Sequence, residues 1–278
     1  MGELRGRTAL VTGAASGIGR ATATALAEAG ARLVVCDVNE DGLAEVARAL
    51  GSSCLLSRRV DVSKREEMRA FAAAVHDEVP AVDVLVNNAG VGLAGGILDT
   101  SLEDWEWILS INLWGVIHGC HFFVPKMVER ARERKTRGNV VNVSSALGYF
   151  AAPDVIGYAT SKFGVLGLSE SLRAELDPHG IAVSVICPGV IATGIINASR
   201  FSAGDAEATR AKVDAMYRKR NYGPEKVARA ILDAVRRDGE VVPVSPEAWA
   251  LYYMKRFVPR LGTPIGKLLA RRSLGRGG

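Results

Sequence analysis

The stretch "TGAASGIGR", residues 12–20, sets glycines at 13, 17 and 19 between the apolar run "RTALVTG" and an alanine-rich segment of helical period. Glycine accepts the backbone of a tight turn and lets a main chain come close to a phosphate. A glycine-rich turn alone is common in plain loops. Between a strand and the first turn of a helix it predicts a dinucleotide-binding βα unit, with a pyrophosphate lying over the helix N-terminus. Gly13, Ser16, Gly17, Ile18 and Gly19 are the candidate contacts.

The alternation continues along the chain. "ARLVVCDV" (31–38), Cys54–Val60, "VDVLVNNAG" (82–90), "GNVVNVSS" (138–145), "IAVSVICPG" (181–189) and "EVVPVS" (240–245) read as strands. Between them, helices are expected from Gly17 to Gly30, Asp41–Leu50, Lys64–Glu78, 102–132 and 156–177, and from Pro224 onward. Strands apolar along their whole length leave no face for water, so they belong to a parallel sheet covered by helices on both sides. The expected architecture is α/β, a Rossmann-type doubly wound parallel β-sheet flanked by helices. It forms a single domain over 1–245, with a helical extension at 246–278. Residues 190–222 break the period and are long for a connection, as a lid over a site would be.

Of the 278 residues, 48% are hydrophobic and 23% charged, the balance of an ordinary soluble globular protein. No uninterrupted apolar run reaches the roughly 18–20 residues of a membrane span. The opening "MGELRGRTALVTG" lacks a signal-peptide pattern, so a cytoplasmic location is expected. The four cysteines (36, 54, 120 and 187) are scattered and form no C-x-x-C pair, which excludes a metal or disulfide framework from the reading. His118 and His121 could share a helix face, but no nearby carboxylate or cysteine completes a ligand set, and no metal is expected. The net charge of +5 is uneven: residues 246–278 carry +6 and the remainder −1. A nucleic-acid partner is not expected, because the body has no basic excess and no recognition motif.

Asp37 ends the second strand, 20 residues after Gly17. A carboxylate there can accept hydrogen bonds from adenosine ribose hydroxyls and repels a 2′-phosphate. Neither Val38 nor Asn39 is basic, and Ser16 precedes Gly17, so NAD is expected in preference to NADP. The plainer alternative is a turn acid, since Asn39, Glu40 and Asp41 follow.

"GYATSKFG" (157–164) places Tyr158 and Lys162 one helical turn apart, where side chains share a face. Alone, the pair means no more than a solvated helix surface. Together with "TGAASGIG", Asp61 after the third strand, "NNAG" at 87–90, Asn112 in "INLWG", "SS" at 144–145 and "PG" at 188–189, it resembles the classical short-chain dehydrogenase/reductase family, over about residues 5–243. The resemblance implies a catalytic tetrad of Asn112, Ser145, Tyr158 and Lys162. Ser145 is preferred to Ser144 because the family's serine stands thirteen residues before its tyrosine. It further implies an adenine contact at Asp61 and Val62, a wall beside the adenosine ribose at Asn88, Ala89 and Gly90, and a nicotinamide side at Pro188, Gly189, Ile191 and Thr193. Asn87 is read as a residue that holds the sheet. A free tyrosine ionises near pH 10, and a close ammonium favours its phenolate. Tyr158 is thereby implied as the acid/base of hydride transfer between a secondary alcohol and a ketone, with Tyr158 and Lys162 also touching the cofactor. The alternative is a catalytically idle dinucleotide-binding scaffold or sensor.

Substrate contacts are expected from 91–98, 146–155 and the lid, among them Leu93, Ile97, Leu147, Tyr149, Phe150, Ile195, Ile196, Phe201 and Met216. These favour an apolar substrate. The basic lid residues Arg200, Arg210, Lys212, Arg218, Lys219 and Arg220 face either solvent or an acidic group on the substrate. In the tail, "PEAWALYYMKRF" (246–257) puts Trp249, Tyr252, Tyr253 and Phe257 on one broad helical stripe, and "TPIGKLLARR" (263–272) begins with a plausible cap. A docked helix, a clasp on a neighbouring subunit and, less favoured, a membrane-surface helix all fit. The resemblance implies a homodimer or homotetramer packed through the long helices 102–132 and 156–177, with Trp114, His118 and His121 near that surface.

Overall fold

The structure is a computed structural model that describes residues 4–192, 194–202 and 222–262, with single positions 207, 210, 211, 215 and 264. Seven strands form one sheet: β1 (Thr8–Thr12), β2 (Arg32–Asp37), β3 (Cys54–Arg59), β4 (Val84–Asn87), β6 (Gly138–Val143), β7 (Ile181–Pro188) and β9 (Val241–Val244). Their order is β3-β2-β1-β4-β6-β7-β9 and every pairing is parallel. The order reverses direction at β1, which pairs with β2 on one side and β4 on the other. That switch point opens a crevice at the carboxyl ends of the strands.

Both faces of the sheet are covered along its central strands, while the edge strand β3 is exposed from Ser57 to Arg59. On one face Ala9 and Val11 of β1 pack with Ala23 and Leu26 of α1 (Gly17–Glu28), Leu43 of α2 (Glu40–Leu50), and Val227 and Ile231 of α6 (Pro224–Arg237). On the other, Leu10 packs with Phe71 of α3 (Arg65–Glu78), Phe123 and Met127 of α4 (Leu102–Arg134), and Val165 of α5 (Ile156–Leu176). Adjacent residues thus point into opposite cores, the two-residue period of a strand. Cys36 and Cys120 are buried free thiols in the second of these cores, Cys187 is buried in a smaller cluster with Ala248, and Cys54 is half-buried. Burial pushes the Cys120 and Cys187 thiols up to about 12.

By length and hydropathy α4 would suffice to cross a membrane, but half of its apolar window is buried inside the protein, as in a core helix. It is interrupted by a π-turn over Ser110–Trp114. Where it passes β4, Gly119 allows close approach: an added Cβ would lie 2.1 Å from Asn87 Oδ1. Asn87 itself donates to Asn142 Oδ1 at 2.8 Å across the β4–β6 pairing, so it does tie strands together. His118 packs beside Trp114, their ring centres 5.8 Å apart. It is buried beneath the surface, with Nδ1 2.9 Å from the Val62 carbonyl, whereas Trp114 is 49% exposed.

Two short strands lie outside the main sheet. β5 (Leu93–Ala94) pairs in parallel with β8 (Arg200–Phe201), joining the first part of the expected lid to the segment after β4. Beyond β9, α7 (Pro246–Phe257) docks on its own chain. The expected single stripe on it divides. Tyr252 packs edge-on to Tyr149, while Trp249, Tyr253 and Phe257 stack along an exposed side. The cap expected at Thr263 and the helix after it lie outside the described residues.

Candidate active site

Because all seven strands are parallel, their carboxyl ends share one edge, and the candidate residues collect there. A groove of about 610 Å³ runs from Asp37 and Asp61 past Gly13, Ser16, Gly17 and Ile18 to Ser145, Tyr158 and Lys162, ending at Pro188, Gly189 and Ile191. Val62, Asn88, Ala89 and Gly90 line it between. A larger open furrow of about 1060 Å³ lies between α1 and α6, but none of the four candidate catalytic side chains borders it.

At the glycine loop, Gly13 has φ +65°, and a Cβ there would fall 2.7 Å from Ala89 Cα. Asn88 Nδ2 donates to the carbonyls of Thr12 and Gly13 at 2.9 and 3.1 Å, fixing the loop from the next strand. Gly19 does not border the groove. A Cβ on it would strike Gly13 O at 1.9 Å, so it serves loop packing. Ser16 makes no capping bond through its side chain, and the first turn of α1 carries no acid. The amide groups of this helix N-terminus are therefore suited to an anion. Asp37 accepts from Ala15 N and Asn39 N, both at 2.9 Å, one on each oxygen. Each oxygen keeps a second lone pair for a ribose hydroxyl. Asp61 closes its own turn by accepting from Ser63 N and Oγ. A dinucleotide fits this donor and acceptor set. Thr193 lies outside the described residues.

At the other end of the groove, Lys162 is buried and its Nζ donates to the Val143 carbonyl at 3.0 Å. Nζ lies 5.8 Å from the centre of the Tyr158 ring. Burial draws the Lys162 ammonium down from its ordinary value to about 8. Ser144 and Ser145 have separate tasks. Ser144 Oγ donates to the Lys162 carbonyl at 2.8 Å and holds α5 against β6, while Ser145 Oγ accepts from Leu147 N at 3.1 Å. Asn112 is fully buried one layer behind the groove wall. Its Oδ1 accepts from Val91 N at 2.8 Å, and its Nδ2 donates to Val91 O and Ser161 Oγ. Ser161 donates in turn to the Tyr158 carbonyl at 2.7 Å, so Asn112 braces the turn that carries the tyrosine. The wider π-turn aims this side chain inward.

The sequence pattern of the short chain dehydrogenase family matches residues 7–205. This chain belongs to the short-chain dehydrogenase family. It is 42% identical over 259 residues to a probable oxidoreductase, EphD, of Mycobacterium tuberculosis, covering 90% of this chain but 43% of that protein. The chain thus spans less than half the length of that relative. A putative oxidoreductase of the same organism, SadH, is 34% identical over 275 residues, covering 97% of this chain and 96% of its own. Among solved structures, a short-chain dehydrogenase/reductase from Burkholderia phymatum in complex with NAD superposes with a TM-score of 0.84. It is 30% identical and covers 94% of this chain and 96% of that one.

Around this short-chain dehydrogenase site, the substrate side departs in part from expectation. Ile195 borders the groove, as do Val91 and Ala198 from the expected stretches 91–98 and 190–222; Trp107 and Ile111 join them from outside those stretches. Trp107 and Ile111 stand four apart on α4, ending at the residue just before Asn112, a spacing visible in the sequence. Leu93 and Ile196 are buried, and Ile97 is 63% exposed. Tyr149 and Phe150 turn away into a cluster with Ala248 of α7, while Met216 lies outside the described residues. Arg200 takes a partner within the chain. It pairs with Asp104 Oδ1 at 2.9 Å and lies over the Trp107 ring at 4.1 Å, tying β8 to α4. Arg210 donates to the Ser199 carbonyl, and the other basic lid residues fall outside the described set. Arg59, which the sequence reading did not name, borders the Asp37 end of the groove as that residue's register partner.

Proposed function

We propose that this protein is an NAD-dependent oxidoreductase that interconverts an apolar secondary alcohol and its ketone. The observation that carries the reading is the buried Lys162 ammonium 5.8 Å from the Tyr158 ring, in one groove with Ser145 and the glycine loop. A bound nicotinamide supplies or takes up the hydride. The chain's own groups handle the proton and the oxygen. Ser145 Oγ and Tyr158 Oη orient the substrate oxygen; Tyr158 removes its proton in oxidation and returns it in reduction. Lys162 favours the phenolate by its charge, since a positive neighbour in a desolvated setting lowers a phenol's pKa. Asn112 keeps the Tyr158 turn in place through Ser161.

Asp37 supports NAD over NADP, and the apolar lining of Trp107, Ile111, Val91 and Ile195 supports an apolar substrate. We place the protein in the cytoplasm as a homodimer or homotetramer joined through α4 and α5, where Trp114 and Phe163 are exposed. The test is a panel of secondary alcohols and ketones followed by nicotinamide absorbance with NAD and with NADP. Tyr158→Phe is expected to bind NAD within about twofold of the parent and to lose at least about a thousandfold in kcat, the scale of a lost proton-transfer group. Turnover persisting near the parent rate would refute the role of Tyr158. Bound NAD without turnover of any alcohol or ketone would favour a sensor.

A further inference from the structure

The C-terminal extension reaches the site. Between β9 and α7 the chain turns at Ser245, a buried non-glycine residue with φ +118°, and α7 begins at once with Pro246. This sharp corner presses the first turn of α7 against the loop after β7. A Cβ on Gly189 would fall 2.4 Å from Ser245 Oγ and 2.7 Å from Glu247 Oε1, so a side chain there would push both of these groups aside. Glu247 Oε1 accepts from Val190 N at 3.2 Å, and Gly189 N donates to the Val244 carbonyl at 3.1 Å. The helix is anchored from the opposite side by Tyr149, whose Oη donates to the Ala248 carbonyl at 2.7 Å. At its far end the loop is tied by Ala192 N to the Tyr222 carbonyl at 2.9 Å. Pro188, Gly189 and Ile191 of this loop border the groove.

We propose that Glu247 is a positioning residue for the nicotinamide end of the groove: its carboxylate holds the Val190 amide and thereby sets the wall formed by Pro188–Ile191. The extension is on this account a component of the site. The inference rests on the dinucleotide reading for its kinetic consequence only, because the restraint on the Val190 amide exists with or without chemistry. A carboxylate that accepts from a backbone amide forms a charge-assisted bond, and such bonds are the stronger class. Losing it frees the middle of a loop that must match a ring placed by other elements, and small misplacements are expensive in rate.

The experiment uses the full-length protein with Glu247→Ala and Glu247→Gln. Glu247→Ala is expected to raise the KM for NAD about tenfold and to lower kcat by a similar factor, as a charged hydrogen bond of this kind predicts. Hydrogen exchange of the peptide spanning 188–192 should accelerate at least about tenfold, with the sheet peptides unchanged. Glu247→Gln keeps a carbonyl oxygen at the same place and is expected to recover most of both losses. Unchanged KM, kcat and exchange in Glu247→Ala would overturn the proposal, as would a Glu247→Gln variant as impaired as the alanine. If the parent shows no turnover, faster exchange in Glu247→Ala and recovery in Glu247→Gln still establish the restraint. The oxidoreductase reading alone would then fall.

Discussion

Lys162 illustrates how the sequence shows a residue's identity but not its state. The four-residue spacing to Tyr158 was legible; the burial that brings the ammonium to about 8 was not, because it depends on β6 and on the loop after β4. Gly90 shows the crowding: a Cβ there would lie 3.1 Å from Asn112 Oδ1 and 3.4 Å from Lys162 Nζ. The shift has a thermodynamic sign. The folded protein holds the Lys162 proton less tightly than the unfolded chain, whose value is near 10.5, so the ionised lysine destabilises the fold below about pH 8. As pH rises from about 8 to 10.5 the folded form sheds its proton first, and that penalty fades. The difference corresponds to about 3 kcal/mol, less about 1 kcal/mol for the hydrogen bond to Val143. Lys162→Met is therefore expected to abolish turnover yet raise stability at pH 7 by about 2 kcal/mol, the gain shrinking toward pH 10. Denaturant melts of both proteins across that range check it, and a gain independent of pH would contradict it.

At the scale of elements, the central strands β1, β4, β6 and β7 were legible because they are buried on both faces, which leaves a mostly apolar run as the signature; the edge strand β3, exposed from Ser57 to Arg59, was legible by its place in the alternation. β5 and β8 were not, since two residues carry no period; they exist only because the lid crosses the segment after β4. The π-turn in α4 was equally hidden. It is stabilised by the bonds of Asn112 to Val91 and Ser161, partners 21 and 49 residues away. The basic residues of the lid were left open between solvent and substrate for a related reason: charge in a sequence does not reveal its partner, and Arg200 found Asp104. The packing of α4 on β4 makes a sharper test. Asn87 cannot withdraw from Gly119, because its amide is held by Asn142 and by Cys120 Sγ at 3.5 Å. Gly119→Ala is expected to lower stability by about 1–3 kcal/mol, the usual cost of overfilling a packed contact, and Tm by roughly 3–8 °C. Calorimetry checks it, and an unchanged Tm would show that α4 can shift without penalty.

At the scale of the molecule, the site is assembled from segments spread from Gly13 to Glu247, brought together by a parallel sheet whose every connection crosses back over a face. The overall architecture could be read because that alternation is written in the chain. The docking of α7 could not, because an amphipathic helix does not declare which surface it will meet. Its aromatic side divides between Tyr149 and water, a choice made by the corner at Ser245. The deep placement of three thiols has a practical consequence. Cys36 and Cys120 lie in one core and Cys187 in a smaller cluster, all with ionisation strongly suppressed, whereas Cys54 sits half-covered at the start of β3, where burial also raises its thiol. Access and thiolate content both limit labelling, so a maleimide dye should reach the half-covered Cys54 before the three buried sulfurs. The slow arrival of the other three labels clocks how often each core breathes open, giving this protein an intrinsic stopwatch that needs no added probe site.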